Sequence, residues 1–367
     1  MNVQVTQSNL AKALSNVARV ATSRAGLPIL NNILLRTEAN GLIIAATNLE
    51  IASVQRVGAK VTTQGSITVP AKIISEFVSN LPKENVTIEV KGQIIHISSG
   101  KHKSTINGMS DEEFPELPAL DEKTQLQYEL RTNDFKQAAG QTVITASTDS
   151  TRPVLTGVYW HTFEGSLFFA ATDGYRLSEK RIMQAQTDIA AIIPTSTIQE
   201  VVRVLDDTED TMSVIFDETQ VKFQIGDNEI ISRLIDGNFP DYRQLIPATT
   251  ATSCVVKVDE LKRIVKLSGL FSRESGGSVQ LETDPDTNIL TIHSIASELG
   301  QNTSEIATEI DGEKNTITLN SRYLNDALGV IPSSEITIGF SGSLSPCLIR
   351  PNKKDSDYTH IVMPIKS

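Results

Sequence analysis

The chain lays out one plan three times, and that repetition constrains its fold more than any single motif. GLIIAATNLEIAS from Gly41 and SLFFAATDGYRLS from Ser166 align with Thr47 opposite Thr172, 125 positions apart. The same offset of 125 relates Leu10 to Phe135, each an early apolar residue of a helix-like stretch, and Phe114 of FPEL to Phe239 of FPDY. ITVPAKIISEFVSNL and IIPTSTIQEVVRVL match with Val69 against Ile193. A fainter third copy begins at VVKVDELKRIVKLSGLF, with Leu261 in the place of Leu10 and Phe135. It continues through NILTIHSIASEL and ITLNSRYLNDAL to IVMPIKS, which stands where the FP segments ended the earlier copies. Solenoid repeats are about 20–50 residues long, so a period near 120 residues describes whole domains.

Each copy runs strand, helix, several strands, helix, several strands. VTIEVKGQIIHIS and VIFDETQVKFQIG alternate apolar and polar residues, the pattern of half-buried antiparallel strands. The expected fold class is α+β: three tandem domains over 1–120, 128–247 and 253–367, each with two helices packed on antiparallel sheets. The joints PALDEKTQLQ (118–127) and PATTATS (247–253) are polar, start with proline and lack helical periodicity. Aromatic residues make up 5% of the chain, with one tryptophan, Trp160, so aliphatic cores are expected. The abundance of valine, isoleucine and threonine favours sheet.

Leu10, Leu14 and Val17 share one helical face, with Lys12 and Arg19 opposite. In the third copy Leu261, Ile264 and Val265 form the buried stripe while Arg263 and Lys266 point outward. The middle copy is expected to present Gln137 and Gln141 outward, with Lys136 on the flank. Acidic residues gather instead in turns and joints, as in SDEEFPEL, LDDTEDT and TDPDT. A formal net charge of −11 argues against adhesive nucleic-acid binding over the whole surface. It is compatible with helix faces that form a basic or neutral lining inside an acidic shell. Such a lining would touch phosphates without reading bases. On any single helix, exposed lysines and arginines are ordinary; repetition across related helices gives the pattern its weight.

The first residues, MNVQVTQSNLAKAL, lack the basic start and apolar core of a signal peptide. NVT at Asn85 and NTS at Asn302 are therefore read as chance matches to the glycosylation pattern. No window approaches the about 18 to 20 apolar residues of a membrane span. Two distant cysteines, Cys254 and Cys347, argue against a disulfide framework and fit a reducing compartment. A cytoplasmic location is expected.

Catalytic patterns are missing from the sequence. His96, His102, His161, His293 and His360 show no metal-ligand spacing. GKHKS at Gly100 lacks the spacing of a phosphate-binding loop, SGG at Ser275 reads as a turn, and neither G-x-G-x-x-G nor G-x-S-x-G occurs. The best catalytic candidate is Asp173 in ATDGYRL, but its counterpart in the first copy is Asn48 and no partner base is near in sequence. A turn at Asp173-Gly174 ending a strand is the stronger reading. No metal or cofactor is implied, and no catalytic residue is assigned.

The threefold repeat, ATDGYRL, NFPDYRQLIP and the ending HIVMPIKS together closely resemble the bacterial DNA polymerase III beta subunits, the sliding clamps, over the whole chain. The resemblance implies three tandem DNA-clamp domains that close, in a head-to-tail homodimer, as a ring around duplex DNA, with helices lining the hole and sheets outside. It implies no catalytic activity, no cofactor and no membrane partner. The implied partners are duplex DNA bound without sequence preference, a second copy, the replicative polymerase alpha subunit, an ATP-driven clamp loader, and other polymerases and repair proteins with a clamp-binding motif.

Carried over residue by residue, the family's peptide pocket between the second and third domains would use Leu155, Thr172, Gly174, Tyr175, Arg176 and Leu177. Pro240 and Leu245 would add to it from the same domain, and Asn320, Tyr323, Leu344, Val362, Met363 and Pro364 from the third. Apolar walls, an adaptable methionine and a few polar groups suit a peptide anchor, although Leu155, Leu177 and Met363 are also ordinary core residue types. For DNA, the resemblance picks out Arg24 and Arg152 first, then Lys12, Arg19, Lys72, Arg203, Arg263 and Lys266. At the ring joint Leu270 and Phe271 of one chain would meet Ile106 of the other. Tyr175 stands where many relatives have histidine and Gln244 where some have arginine. The polar IKS tail and Ser104, aromatic in some relatives, also depart from the pattern. These departures bear on partner preference and on how tightly the dimer holds. An enzyme using the TDGYR loop, or a clamp-like adaptor that does not encircle DNA, are the other readings left open.

Overall fold

The computed structural model describes residues 1–21, 26–121, 125–185, 187–205, 209–272, 276–296 and 300–365. Among them are six helices: α1 (Gln7–Ala18), α2 (Ala71–Ser79), α3 (Thr132–Val143), α4 (Thr195–Val204), α5 (Val258–Phe271) and α6 (Ser321–Val330). They fall two to a repeat, as the sequence implies. The chain divides into two compact units, one of residues 1–133 and 196–234, the other of 134–195 and 235–367.

In the first unit α1 buries Leu10, Ala13, Leu14 and Val17, the expected stripe. Each large side chain sealed there contributes roughly 1.5–3 kcal/mol. The unit holds a five-stranded sheet that ends at the edge strand His102–Asn107. Its eight-stranded sheet joins strands of two repeats, where Asn228–Arg233 pairs antiparallel with Ile51–Gly58 and Ile231 lies opposite Ala52.

The second unit repeats that joint. Its nine-stranded sheet passes from Arg176–Gln184 to Tyr358–Val362, with Leu177 opposite Ile361. A four-stranded sheet ends at the edge strand Gly300–Ala307. Successive repeats are thus fused by backbone ladders, which is why the compact units do not follow the repeats. The polar joint at 247–253 is shorter than expected, because Thr252 and Ser253 already belong to the strand Thr252–Lys257.

Two expectations need correction. The core of the middle repeat is aromatic: Trp160 stacks on Phe169 with centroids 3.8 Å apart, and Phe135 lies 6.0 Å from Trp160. The few aromatic residues are concentrated where Phe135 replaces the leucine of the other copies. Gln141 does not point outward either. It is buried, its side-chain nitrogen donates to the Val330 carbonyl at 3.3 Å, and its backbone carbonyl accepts from the Tyr358 hydroxyl at 3.2 Å.

Candidate partner-binding site

The site starts from a tight turn between the strands Ser166–Thr172 and Arg176–Gln184. The Thr172 hydroxyl donates to the Arg176 carbonyl at 2.7 Å and accepts from the Gly174 amide at 3.1 Å. Gly174 sits at φ +92°, a left-handed conformation that favours glycine. One oxygen of Asp173 accepts from the amides of Tyr175 (2.9 Å) and Arg176 (3.0 Å), and the other from Arg176 Nε (3.0 Å). This carboxylate is spent on shaping the turn, which agrees with the turn reading.

The turn holds Arg176 so that it reaches α6. Its Nη1 donates to Asp326 at 2.6 Å, and its guanidinium carbon lies 4.4 Å from the centroid of the Tyr323 ring. Asn320 caps α6, its side-chain oxygen accepting from the amides of Arg322 (2.9 Å) and Tyr323 (3.4 Å). Burial, reinforced by the Asp173 carboxylate, pushes the Tyr323 phenol above its ordinary range and keeps it protonated. The last strand closes the same corner. Val362 lies opposite Arg176, and the Met363 amide donates to the Tyr175 carbonyl at 2.8 Å.

Beneath lies an apolar base of Ala170, Leu177, Tyr242 and Ile361, with Phe239, Leu348 and Met363 packed against it. Tyr242 is fixed by its hydroxyl, which donates to Glu179 at 2.5 Å. That leaves the tyrosine oxygen to accept from His161 Nε2 at 2.7 Å. Arg243 forms an ion pair with Glu179 at 3.0 Å and covers the Phe163 ring at 3.7 Å. Burial, with the Arg243 charge, lowers the His161 imidazole to about 4.

The structure therefore brings Thr172, Gly174, Tyr175, Arg176, Leu177, Asn320, Tyr323, Val362 and Met363 into one connected corner. Leu177 and Val362 are core residues whose backbones contribute more than their sealed side chains. Leu155 is buried in the short helix Pro153–Leu155. Tyr175 is 64% and Leu344 71% exposed, and Leu245 and Pro240 are exposed too. Among the described residues no hydrogen bond, ion pair or ring contact links Pro240, Leu245, Leu344 or the half-buried Pro364 to the turn. Sequence reasoning misses Asp326, although its place three positions after Tyr323 puts both on one helical face.

Among the basic residues, Arg24 lies outside the described residues. Lys12 on α1, Arg19 just after it, Lys72 on α2, and Arg263 and Lys266 on α5 are exposed. Arg203 is instead bound up with its own surroundings. It pairs with Glu200, and its guanidinium donates to the carbonyls of Ser15 (3.3 Å) and Asn16. Arg152 belongs beside the turn, since a Cβ on Gly174 would lie 3.8 Å from Arg152 Nη1. Of the joint residues, Ile106 is already buried on its edge strand, Leu270 is 50% exposed and Phe271 half-buried. Leu267 on α5 and Ile295, 65% exposed, add apolar surface that the sequence does not single out.

Three family models match the chain in order: DNA polymerase III beta subunit, N-terminal domain over residues 1–118, central domain over 129–241 and C-terminal domain over 243–366. The beta sliding clamp of Bacillus subtilis is 31% identical over 100% of both chains, and that of Synechococcus elongatus 30% over 100% of this chain and 99% of its own. The crystal structure of the B. subtilis clamp matches with a TM-score of 0.94 at 30% identity, covering 100% of this chain and 99% of that one. A Pseudomonas aeruginosa clamp solved bound to griselimycin matches with 0.94 at 26% identity over 100% of both. The chain belongs to the DNA polymerase III beta subunit family, the bacterial sliding clamps.

Proposed function

We propose that two copies of this chain close head to tail into a ring around duplex DNA and hold polymerase III on its template. The observation that carries this reading is the strand joint, made twice within the chain and left open once. The positions just before the second helix of each repeat, Pro70, Pro194 and Asn320, pair with Asn32, Gly157 and Ser278. Following the ladders from there makes Ala52, Leu177 and Gln301 equivalent. Ala52 and Leu177 already face Ile231 and Ile361. Ile106, which is 125 positions before Ile231, and Gln301 both lie on edge strands. A second copy would satisfy both edges by pairing Ile106 with Gln301, beside Leu270 and Phe271. Unpaired edges of this kind are otherwise a liability.

The lining would be made by Lys12, Arg19, Lys72, Arg263 and Lys266, together with Arg24 and Arg152, touching phosphates without base readout. The corner at Arg176 and Tyr323, rimmed by Pro240, Leu245, Leu344 and Pro364, would take short apolar motifs from the polymerase alpha subunit, the clamp loader and repair proteins. The chain would act in the cytoplasm and catalyse nothing itself, with ATP use belonging to the loader. The domain division proposed is 1–120, 128–247 and 253–367.

A fluorescence-polarisation titration with a labelled glutamine-led, Leu-Phe-ending peptide tests the pocket. Saturable binding is expected, competed by griselimycin and lost in Leu344→Asp or on removal of residues from Met363 onward in a still-folded protein. Absence of binding to folded wild type removes this assignment of the turn.

A further inference from the structure

Residues 47–51 repeat the bonds that hold the backbone of the turn at 172–176. The Thr47 hydroxyl donates to the Ile51 carbonyl (3.0 Å) and accepts from the Leu49 amide (3.1 Å). The Asn48 side-chain oxygen accepts from the amides of Glu50 (3.0 Å) and Ile51 (2.9 Å), as Asp173 does from Tyr175 and Arg176. The Arg233 amide donates to the Glu50 carbonyl at 3.1 Å, as that of Met363 does to Tyr175.

The equivalence ends at the side chains. Where the second turn has Gly174, the first has Leu49 at φ +75°, with 44% of its surface exposed. A leucine held there costs roughly 1–2 kcal/mol, and an exposed side chain recovers little of that by packing. Backbone strain of this kind clusters at ligand-binding positions. Leu49 opens onto a groove of about 850 Å³, lined also by Glu50, Glu116, Leu117, Arg233 and Leu234. Glu116 follows Phe114 just as Asp241 follows Phe239, so one wall of the groove is the counterpart of the FPDY segment beneath the corner at Arg176. Its charge is disposed differently: at the Arg176 corner both carboxylates are bonded to the guanidinium, whereas Glu50 and Glu116 are exposed and Arg233 is the single guanidinium of the lining.

We propose that this groove is a second peptide site, selecting extended segments that set a leucine against Leu49 and Leu117 and a lysine or arginine against Glu50 and Glu116. It rests on reading the 172–177 turn as a peptide pocket, but it selects a different ligand. Basic partners would be recruited here while glutamine-led motifs go to the Arg176 corner.

The test uses the full chain and a fluorescein-labelled Gly-Lys-Leu-Arg-Leu-Lys-Gly probe, titrated with excess unlabelled glutamine-led peptide present. Saturable binding is expected, weakened at least about fivefold by Glu50→Lys with Glu116→Lys and by Leu49→Gly, at the scale of a few such contacts. The affinity of the glutamine-led peptide should stay within about twofold in both variants. Thermal melting confirms that they are folded. No saturation by about 1 mM probe, or equal binding by wild type and both variants, overturns the proposal. Failure of the pocket itself is read separately, from the glutamine-led peptide on wild type.

Discussion

Arg176 and Asp326 stand 150 positions apart and share a 2.6 Å hydrogen bond that ties the 172–176 turn to α6. Arg176 is nearly sealed, so its charge depends on Asp173 and Asp326 for compensation. Removing it leaves Asp173 facing an empty, poorly solvated space.

Arg176→Ala should lower unfolding stability by about 3 kcal/mol and weaken the glutamine-led peptide at least tenfold. Asp326→Asn, at a more exposed position, should cost only about 1 kcal/mol. Urea unfolding and the polarisation titration read the two effects. Equal losses in the two variants would contradict the burial difference.

The architecture is legible in the sequence because repetition carries it. The offset that aligns Thr47 with Thr172 also aligns Ile51–Gly58 with Arg176–Gln184, one strand of each joint. The sealed stripe of α1 follows from helical spacing. Gln141 is misplaced by sequence reasoning because periodicity reports a helix's own faces, whereas its burial is decided by Tyr358 and Val330, far along the chain. Asp326 is hidden for the same reason: its partner, Arg176, comes from a strand in another repeat. Arg203 looks like lining because a sequence shows a charge and not the carbonyls of Ser15 and Asn16 that occupy it.

The proposed joint register can be trapped covalently. In the ladders that fix it, Ile230 faces Ser53 and His360 faces Ser178, which places Thr105 opposite Asn302 of a second copy. A Thr105→Cys, Asn302→Cys protein should form a disulfide dimer under mild oxidation, read on a non-reducing gel. The native thiols should not interfere. Both are buried, and burial pushes Cys254 up to about 12 and Cys347 higher still. Cross-linking by Thr105→Cys with Ser304→Cys but not with Asn302→Cys would refute the register.

Leu49→Gly should raise stability by about 1 kcal/mol, because relief of the left-handed strain exceeds the entropy glycine adds to the unfolded chain. Chemical denaturation measures it. A loss of stability would mean that the leucine is held by packing and not strained.

His161 should make stability depend on pH. Its imidazole titrates near 4 when folded, below the ordinary 6.5, because of burial and Arg243. Between those values the unfolded chain binds the extra proton, so stability is full above about pH 6.5 and falls as pH drops toward 4. The contribution is on the order of 3 kcal/mol. Tyr242, itself bonded to Glu179, holds the same ring, so His161→Gln, which keeps a donor, is the comparison to make. It should flatten the stability profile between pH 4 and 6.5 in a urea series, and an unchanged slope would contradict this origin.

Topological retention is the property that most directly separates a ring from every other reading of this chain. Labelled protein is loaded onto nicked circular plasmid by its clamp loader and ATP, gel-filtered, and the plasmid is then cut once. A ring co-elutes with the circle at moderate salt and leaves when the DNA is linearised. Protein that never travels with the circle, or that stays bound equally well after cutting, does not encircle DNA.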